Sequence, residues 1–96
     1  MRISIEHNGS VVSEELKIQI RAKVSKLEHY YENIIDAIVY LHEERESKEI
    51  ELKLIVKDDT LFVKENNDTF LNALDDSINS MQIRLKKYKE KTLKNN

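Results

Sequence analysis

Apolar residues recur along this chain with two different periods, and the switches between them mark the elements. Residues 2–6 alternate, with Ile3 and Ile5 facing one way, which predicts a short strand. Asn8-Gly9-Ser10 breaks the pattern. Ser13 followed by Glu14 and Glu15 has the chemistry of a helix start, a hydroxyl cap and then acids in the positive first turn. Leu16, Ile20, Val24, Leu27 and Tyr31 then recur at spacings of four, four, three and four, an amphipathic stripe that predicts a helix from about Glu14 to about Tyr30.

The β-branched and aromatic run Ala37–Leu41 predicts a second strand. The acidic stretch Glu43–Lys48 reads as a solvated turn. Ile50, Leu52, Leu54 and Val56 alternate with Glu51, Lys53 and Ile55 on a third strand, Ile50–Val56. Asp58-Asp59 is turn-like, and Leu61 and Val63 carry the two-residue period on through a fourth strand, Thr60–Glu65. Asn66-Asn67-Asp68-Thr69 reads as a loop whose Asp68 or Thr69 caps the last helix. That helix is the clearest element: Phe70, Leu74, Ile78, Met81, Leu85 and Tyr88 keep one face to about Thr92.

The order β-α-β-β-β-α predicts an α+β domain, a four-stranded mixed sheet with both helices packed on one face. Under the right-handed crossover rule the first helix links two parallel strands, and the others form an antiparallel meander. Residues 1–92 make one domain, and 93–96 a frayed basic tail. The chain has no repeat, linker or low-complexity region.

Composition removes several function classes. Ninety-six residues leave no room for two cores. No cysteine means no disulfide framework, zinc knuckle or thiol chemistry. A single glycine, Gly9, excludes glycine-rich phosphate loops. The start is not a signal peptide and no apolar run is long enough to span a membrane, so a soluble cytoplasmic protein is expected, with no membrane partner. His7, His29 and His42 lack metal-site spacing, Asp75 and Asp76 point in different directions on a helix, and the serines have no positioned base. We read no catalytic site, no metal, no cofactor and no small-molecule substrate.

Charge is what changes the picture. The net charge of −2 hides a split: residues 1–81 carry ten Lys/Arg and seventeen Asp/Glu, residues 82–96 six basic residues and only Glu90. On a helix of 100° per residue, Arg84, Lys87 and Lys91 share one flank of the apolar stripe, Lys89 lies on the opposite flank, and Lys86 projects away from the core. In the first helix Lys17 and Arg21 lie on one side of the stripe, Lys23 and Lys26 on the other. Two such helices side by side predict a merged basic surface suited to nucleic-acid phosphates. Dipole matching at a helix C-terminus accounts for two or three of these cations, not for six. Tyr30, Tyr31 and Tyr88 suit either base stacking or the closing of a core edge, and the second is the commoner use. A different reading makes the chain a protein–protein adaptor, using Ile38, Tyr40, Ile55 and Phe62 as an apolar strip on the outer sheet face.

Three stretches in register resemble one family. Val24-Ser25-Lys26-Leu27-Glu28-His29-Tyr30-Tyr31 is similar to its "x-x-K-L-E-x-Y" first-helix end. Asp68-Thr69-Phe70-Leu71-Asn72-Ala73-Leu74-Asp75 is similar to its "D-M-Y-A-A-I-D" entry to the second helix. Leu85-Lys86-Lys87-Tyr88-Lys89-Glu90-Lys91 is similar to its "L-x-K-H-K-x-K" tail. The family is that of ribosome hibernation promoting factor and ribosome-associated inhibitor A, the sigma-54 modulation proteins. The resemblance covers nearly the whole chain. It implies a fold like that of double-stranded-RNA-binding domains, and binding to the 30S subunit and 70S ribosome where mRNA and tRNAs sit. Its basic helices would face 16S rRNA, translation would be blocked, and ribosomes would be stored as inactive 70S or 100S particles. A separate ribosome-dimerising factor is a further partner the resemblance admits. By position it carries over Lys26, Lys87, Lys89 and Lys91, and with Lys17, Arg21, Lys23, Arg84 and Lys86 these are the expected rRNA-binding residues. A chain ending at Asn96 matches the family's short form. It departs from the family at Ile83 and Ser80, where basic residues are usual or frequent, at Asp58-Asp59, where the turn is commonly glycine-rich, and at Glu65, which is usually small.

Overall fold

The computed structural model describes residues 1–9 and 11–94, excepting the side chains of 93 and 94. Ser10 of the expected turn, residues 95 and 96 of the expected tail, and the Lys94 side chain therefore lie outside the described residues. Strand β1 (Arg2–Asn8) is followed by helix α1 (Glu14–Ser25), a 3-10 turn (Lys26–His29), strands β2 (Asp36–Glu44), β3 (Ser47–Ile55) and β4 (Thr60–Asn67), and helix α2 (Phe70–Lys94). The sheet order is β1-β2-β3-β4. β1 runs parallel to β2, from Arg2 opposite Asp36 to Asn8 opposite His42, and the other pairs are antiparallel. This is the expected α+β architecture.

Local chemistry explains most of the boundaries. Gly9, with φ +73°, turns the chain out of β1. Ser13 caps α1, its Oγ accepting from the Leu16 N–H at 3.1 Å. Of the two candidate caps for α2, Thr69 serves: its Oγ1 accepts from the Asn72 N–H at 3.1 Å.

The strands run further than the residue pattern suggests. Only Arg45 and Glu46 make the turn between β2 and β3, with Arg45 held at φ 54°. The acidic stretch is not a solvated turn, because Glu43 lies opposite Lys48 and the two pair at 2.8 Å. A residue that looks like loop by composition becomes strand when its cross-strand neighbour carries the opposite charge. Asn66 and Asn67 likewise belong to β4, opposite Glu49 and Lys48. The first helix stops at Ser25 and tightens into the 3-10 turn, where the N–H groups of Tyr30 and Tyr31 both reach the Leu27 carbonyl. The last helix continues to Lys94, two residues past its expected end.

The core lies between one sheet face and the two helices. Ala37, Val39, Leu41, Ile50, Leu52, Leu54, Leu61 and Val63 point inward from the sheet; Ile20, Val24 and Leu27 cover them from α1 and its turn. From α2 come Ala73, Leu74, Ile78, Met81 and Leu85. Ser77, the one buried polar side chain among the described residues, donates to the Ala73 carbonyl at 2.8 Å, so nothing polar is stranded. Leu85 is the last buried residue of α2 among those whose side chains are described. A helix of 25 residues extends roughly 37 Å at 1.5 Å per residue, and its last turns present basic residues on either side of Leu85 and Tyr88, which still pack on the core.

Candidate nucleic-acid interface

The nine expected site residues divide into three groups. Arg84, Lys87 and Lys91 continue the α2 flank of Asp76 and Ser80. That flank faces β4, since Asp76 accepts from the Asn67 amide at 2.8 Å and Ser80 donates to Glu65 at 2.9 Å. Lys86 and Lys89 continue the opposite flank, that of Asp75, Ile78 and Gln82, which faces α1. The Lys23–Asp75 ion pair at 2.6 Å ties the two helices there. Lys17 and Arg21 look the other way, to the β1 edge, where the Arg21 guanidinium donates to the Ile3 carbonyl at 2.8 Å.

The two helices therefore do not merge all nine cations into one surface. Four of them, Lys23, Lys26, Lys86 and Lys89, share the groove between the helices. Its α1 end is lined by Lys23, Lys26, His29 and Tyr30 against Asp75, Ile78, Asn79 and Gln82. It continues along α2 past Tyr30, Gln82, Ile83, Lys86, Lys89 and Glu90, where it has a volume of about 450 Å³. Lys86, expected to project away from the core, thus stands beside Lys89 in the groove. Tyr30, His29, Asn79 and Gln82 line it without having been singled out as a set. The i, i+3, i+4 recurrence of Asp75, Ile78, Asn79, Gln82, Lys86 and Lys89 is the signal that links the α2 members.

Pairing separates the cations further. Lys17 bridges to Glu14 at 3.4 Å within α1, and Lys23 is held by Asp75. Lys26, Arg84, Lys86, Lys87, Lys89 and Lys91 are all exposed and form no ion pair among the described residues. Unneutralised cations crowded on one helix end repel each other, and an anionic partner relieves that repulsion.

Two of the three tyrosines at this end belong to the core edge. Tyr31 and Tyr88 meet edge to face, with centroids 5.5 Å apart and rings at 81°. Burial, and after it the neighbouring Tyr88, raises the Tyr31 hydroxyl above its ordinary value. Tyr30 is the exposed one, at 46%.

The outer sheet face is less apolar than its sequence suggests. Ile38 and Phe62 lie on either side of Lys53, and Tyr40 lies between Glu6 and Glu51, with the Lys53 ammonium 6.0 Å from its ring centre. Ile38, Tyr40 and Ile55 are half-buried, leaving Phe62 as the exposed member. A strip so interrupted by charge does not make a continuous hydrophobic docking face. Among the described residues no helix is long and apolar enough to cross a membrane.

Comparison with known proteins agrees with this architecture. Two solved structures superpose on nearly the whole chain. A ribosomal subunit interface protein from Coxiella burnetii does so with a TM-score of 0.89 at 18% identity, covering 94% of this chain and 99% of that one. The N-terminal domain of Thermus thermophilus Protein Y gives 0.84 at 16% identity, covering 92% and 99%. At these identities the likeness is one of fold. The ribosome hibernation promotion factor of Bacillus subtilis (strain 168) is 28% identical over 95 residues, 95% of this chain and 50% of that protein, so the chain spans half the length of this relative. The model of the family described as Sigma 54 modulation protein / S30EA ribosomal protein matches residues 3–93. With the fold, the basic second helix and a match from β1 to the end of α2, the chain belongs to the Sigma 54 modulation protein / S30EA ribosomal protein family.

Proposed function

We propose that this chain is a ribosome hibernation factor that binds 16S rRNA in the mRNA–tRNA channel of the small subunit and stabilises inactive 70S and 100S ribosomes. The observation that carries the proposal is the far end of α2, where Arg84, Lys86, Lys87, Lys89 and Lys91 stand exposed with no counter-ion among the described residues. Cations in this state gain from replacing the counterions around an RNA backbone. Lys26 adds a sixth contact from the facing element. The relative named ribosome hibernation promotion factor supports the choice of the ribosome as the RNA partner.

The mechanism is occupation, not chemistry. An elongated body of 46 × 21 × 18 Å held by phosphate contacts along one long helix obstructs the path of messenger and tRNA. Action of this kind needs a stable fold and a charged face, and no acid–base pair. Mixing purified protein with 30S subunits and pelleting through sucrose tests it. The wild type co-sediments, while the triple variant Lys87→Glu, Lys89→Glu, Lys91→Glu stays in the supernatant with its thermal midpoint nearly unchanged, because all three side chains are exposed. Full co-sedimentation of the folded triple variant refutes the proposal.

A further inference from the structure

We infer that the groove between α1 and α2 receives an unpaired nucleotide of the small-subunit rRNA, its base stacked on the ring of Tyr30. The inference rests on the rRNA-binding reading above and specifies what one part of that surface recognises.

Tyr30 sits where the groove's two stretches meet, since it lines both. It is 46% exposed and has no aromatic partner among the described residues, whereas Tyr31 and Tyr88 are engaged with each other. Ile83, 59% exposed, lines the groove beside it. An exposed ring next to an exposed aliphatic side chain is a platform on which a flat apolar surface gains by burial.

The surroundings say which flat surface. Lys26 stands on the wall formed by the 3-10 turn after α1, and Lys86 and Lys89 on the α2 wall. None of the three forms an ion pair among the described residues. An aromatic ring flanked by free ammonium groups is the arrangement that single-stranded nucleic acid calls for, a face for the base and charges for the phosphates on either side. Between them the Gln82 amide offers both a donor and an acceptor to a base edge, and the Glu90 carboxylate accepts from an exocyclic amine. The bases of a duplex are already stacked, so only an unpaired nucleotide presents a face to Tyr30. The cations of the other α2 flank, Arg84, Lys87 and Lys91, are left for backbone contacts that do not depend on base geometry.

The chain contains no tryptophan, so Tyr30→Trp introduces a single indole at the stacking position. Its fluorescence is followed during titration with a 12-nucleotide single-stranded RNA, the same RNA annealed to its complement, and 30S subunits. Strong quenching by the single strand and by 30S, with little by the duplex, is the expected result. In parallel, Tyr30→Ala weakens 30S binding about 5- to 150-fold, the range for loss of one base–aromatic stack, while the salt slope stays that of the wild type. Tyr30→Phe binds within about twofold, because it keeps the ring. Equal quenching by duplex, unchanged affinity in Tyr30→Ala, or a Tyr30→Phe loss as large as that of Tyr30→Ala each overturns the inference. Those outcomes leave the rRNA-binding reading standing as long as the wild type still binds 30S. Failure of the wild type to bind 30S refutes that reading, and the stacking site with it.

Discussion

Six unpaired cations make binding to the small subunit steeply dependent on salt, and the steepness is set by the structure. Lys26, Arg84, Lys86, Lys87, Lys89 and Lys91 are exposed without counter-ions among the described residues, while Lys17 and Lys23 already have carboxylate partners and Arg21 is held by a backbone carbonyl. Each phosphate neutralised contributes roughly 0.7 to 0.9 to the slope of log K against log salt, so five or six contacts give a slope of about −4 to −5. Doubling the KCl concentration then lowers the association constant by about 16- to 32-fold. Removing two contacts with Lys87→Gln and Lys91→Gln makes the slope shallower by about 1.4 to 1.8. The same change at Lys17 leaves it unaltered, because that ammonium already bridges to Glu14. The assay is equilibrium binding of fluorescently labelled protein to 30S subunits across a KCl series. A wild-type slope shallower than about −2, or equal slopes in the wild type and the double variant, refutes the assignment of these side chains to phosphate contacts.

Two further outcomes concern how the body holds the basic helix end in place. Leu85 is fully buried and is the last core residue of α2 among the described residues, so Leu85→Ala costs about 2 to 5 kcal/mol in urea denaturation; a loss below about 1 kcal/mol means the helix end is not anchored there. The Tyr31 hydroxyl, raised above its ordinary 10.0 by burial and by Tyr88, keeps its proton in the folded chain at a pH where the unfolded chain loses it. Its contribution is therefore complete below about pH 10 and is lost as pH rises through the folded value. Thermal midpoints fall across this range, Tyr31→Phe lessens the fall, and identical curves for the two proteins contradict the burial.

The fold was legible because its periods are clean. Ile3 and Ile5, the stripe from Leu16 to Tyr31, the inward set from Ile50 to Val56 and the stripe from Phe70 to Tyr88 each name an element, and Ser13 starts one by its own hydrogen bond. What escaped depends on partners distant in sequence. Glu43 and Lys48 read as turn until the register sets them opposite each other. No glycine or proline marks the change from α-helix to 3-10 turn at Lys26, after which Leu27 is buried in the core and its carbonyl accepts from both Tyr30 and Tyr31.

The candidate site divides in the same way. A helical wheel separates Arg84, Lys87 and Lys91 from Lys89, but it cannot show that Lys89 and Lys86 share a groove with Tyr30, since the groove exists only where two helices meet. Nor can it show that Lys23 is neutralised by Asp75, 52 residues further on. Charge count alone therefore overstates the surface: nine cations by sequence become six without a carboxylate or carbonyl partner.

The most direct measurement places cleavage reagents on the protein and reads where they cut RNA. The chain has no cysteine, so Ile83→Cys on α2 and Lys64→Cys on the outer sheet face each give one attachment point for iron-EDTA; both positions are exposed, and each labelled protein is used once it has been shown to co-sediment with 30S subunits. With 30S subunits, hydroxyl radicals from position 83 should cut 16S rRNA at a compact set of sites lining the mRNA–tRNA channel, with weaker or different cuts from position 64. Strong cutting from position 64 with none from position 83, or cuts from position 83 confined to rRNA away from that channel, contradicts the account.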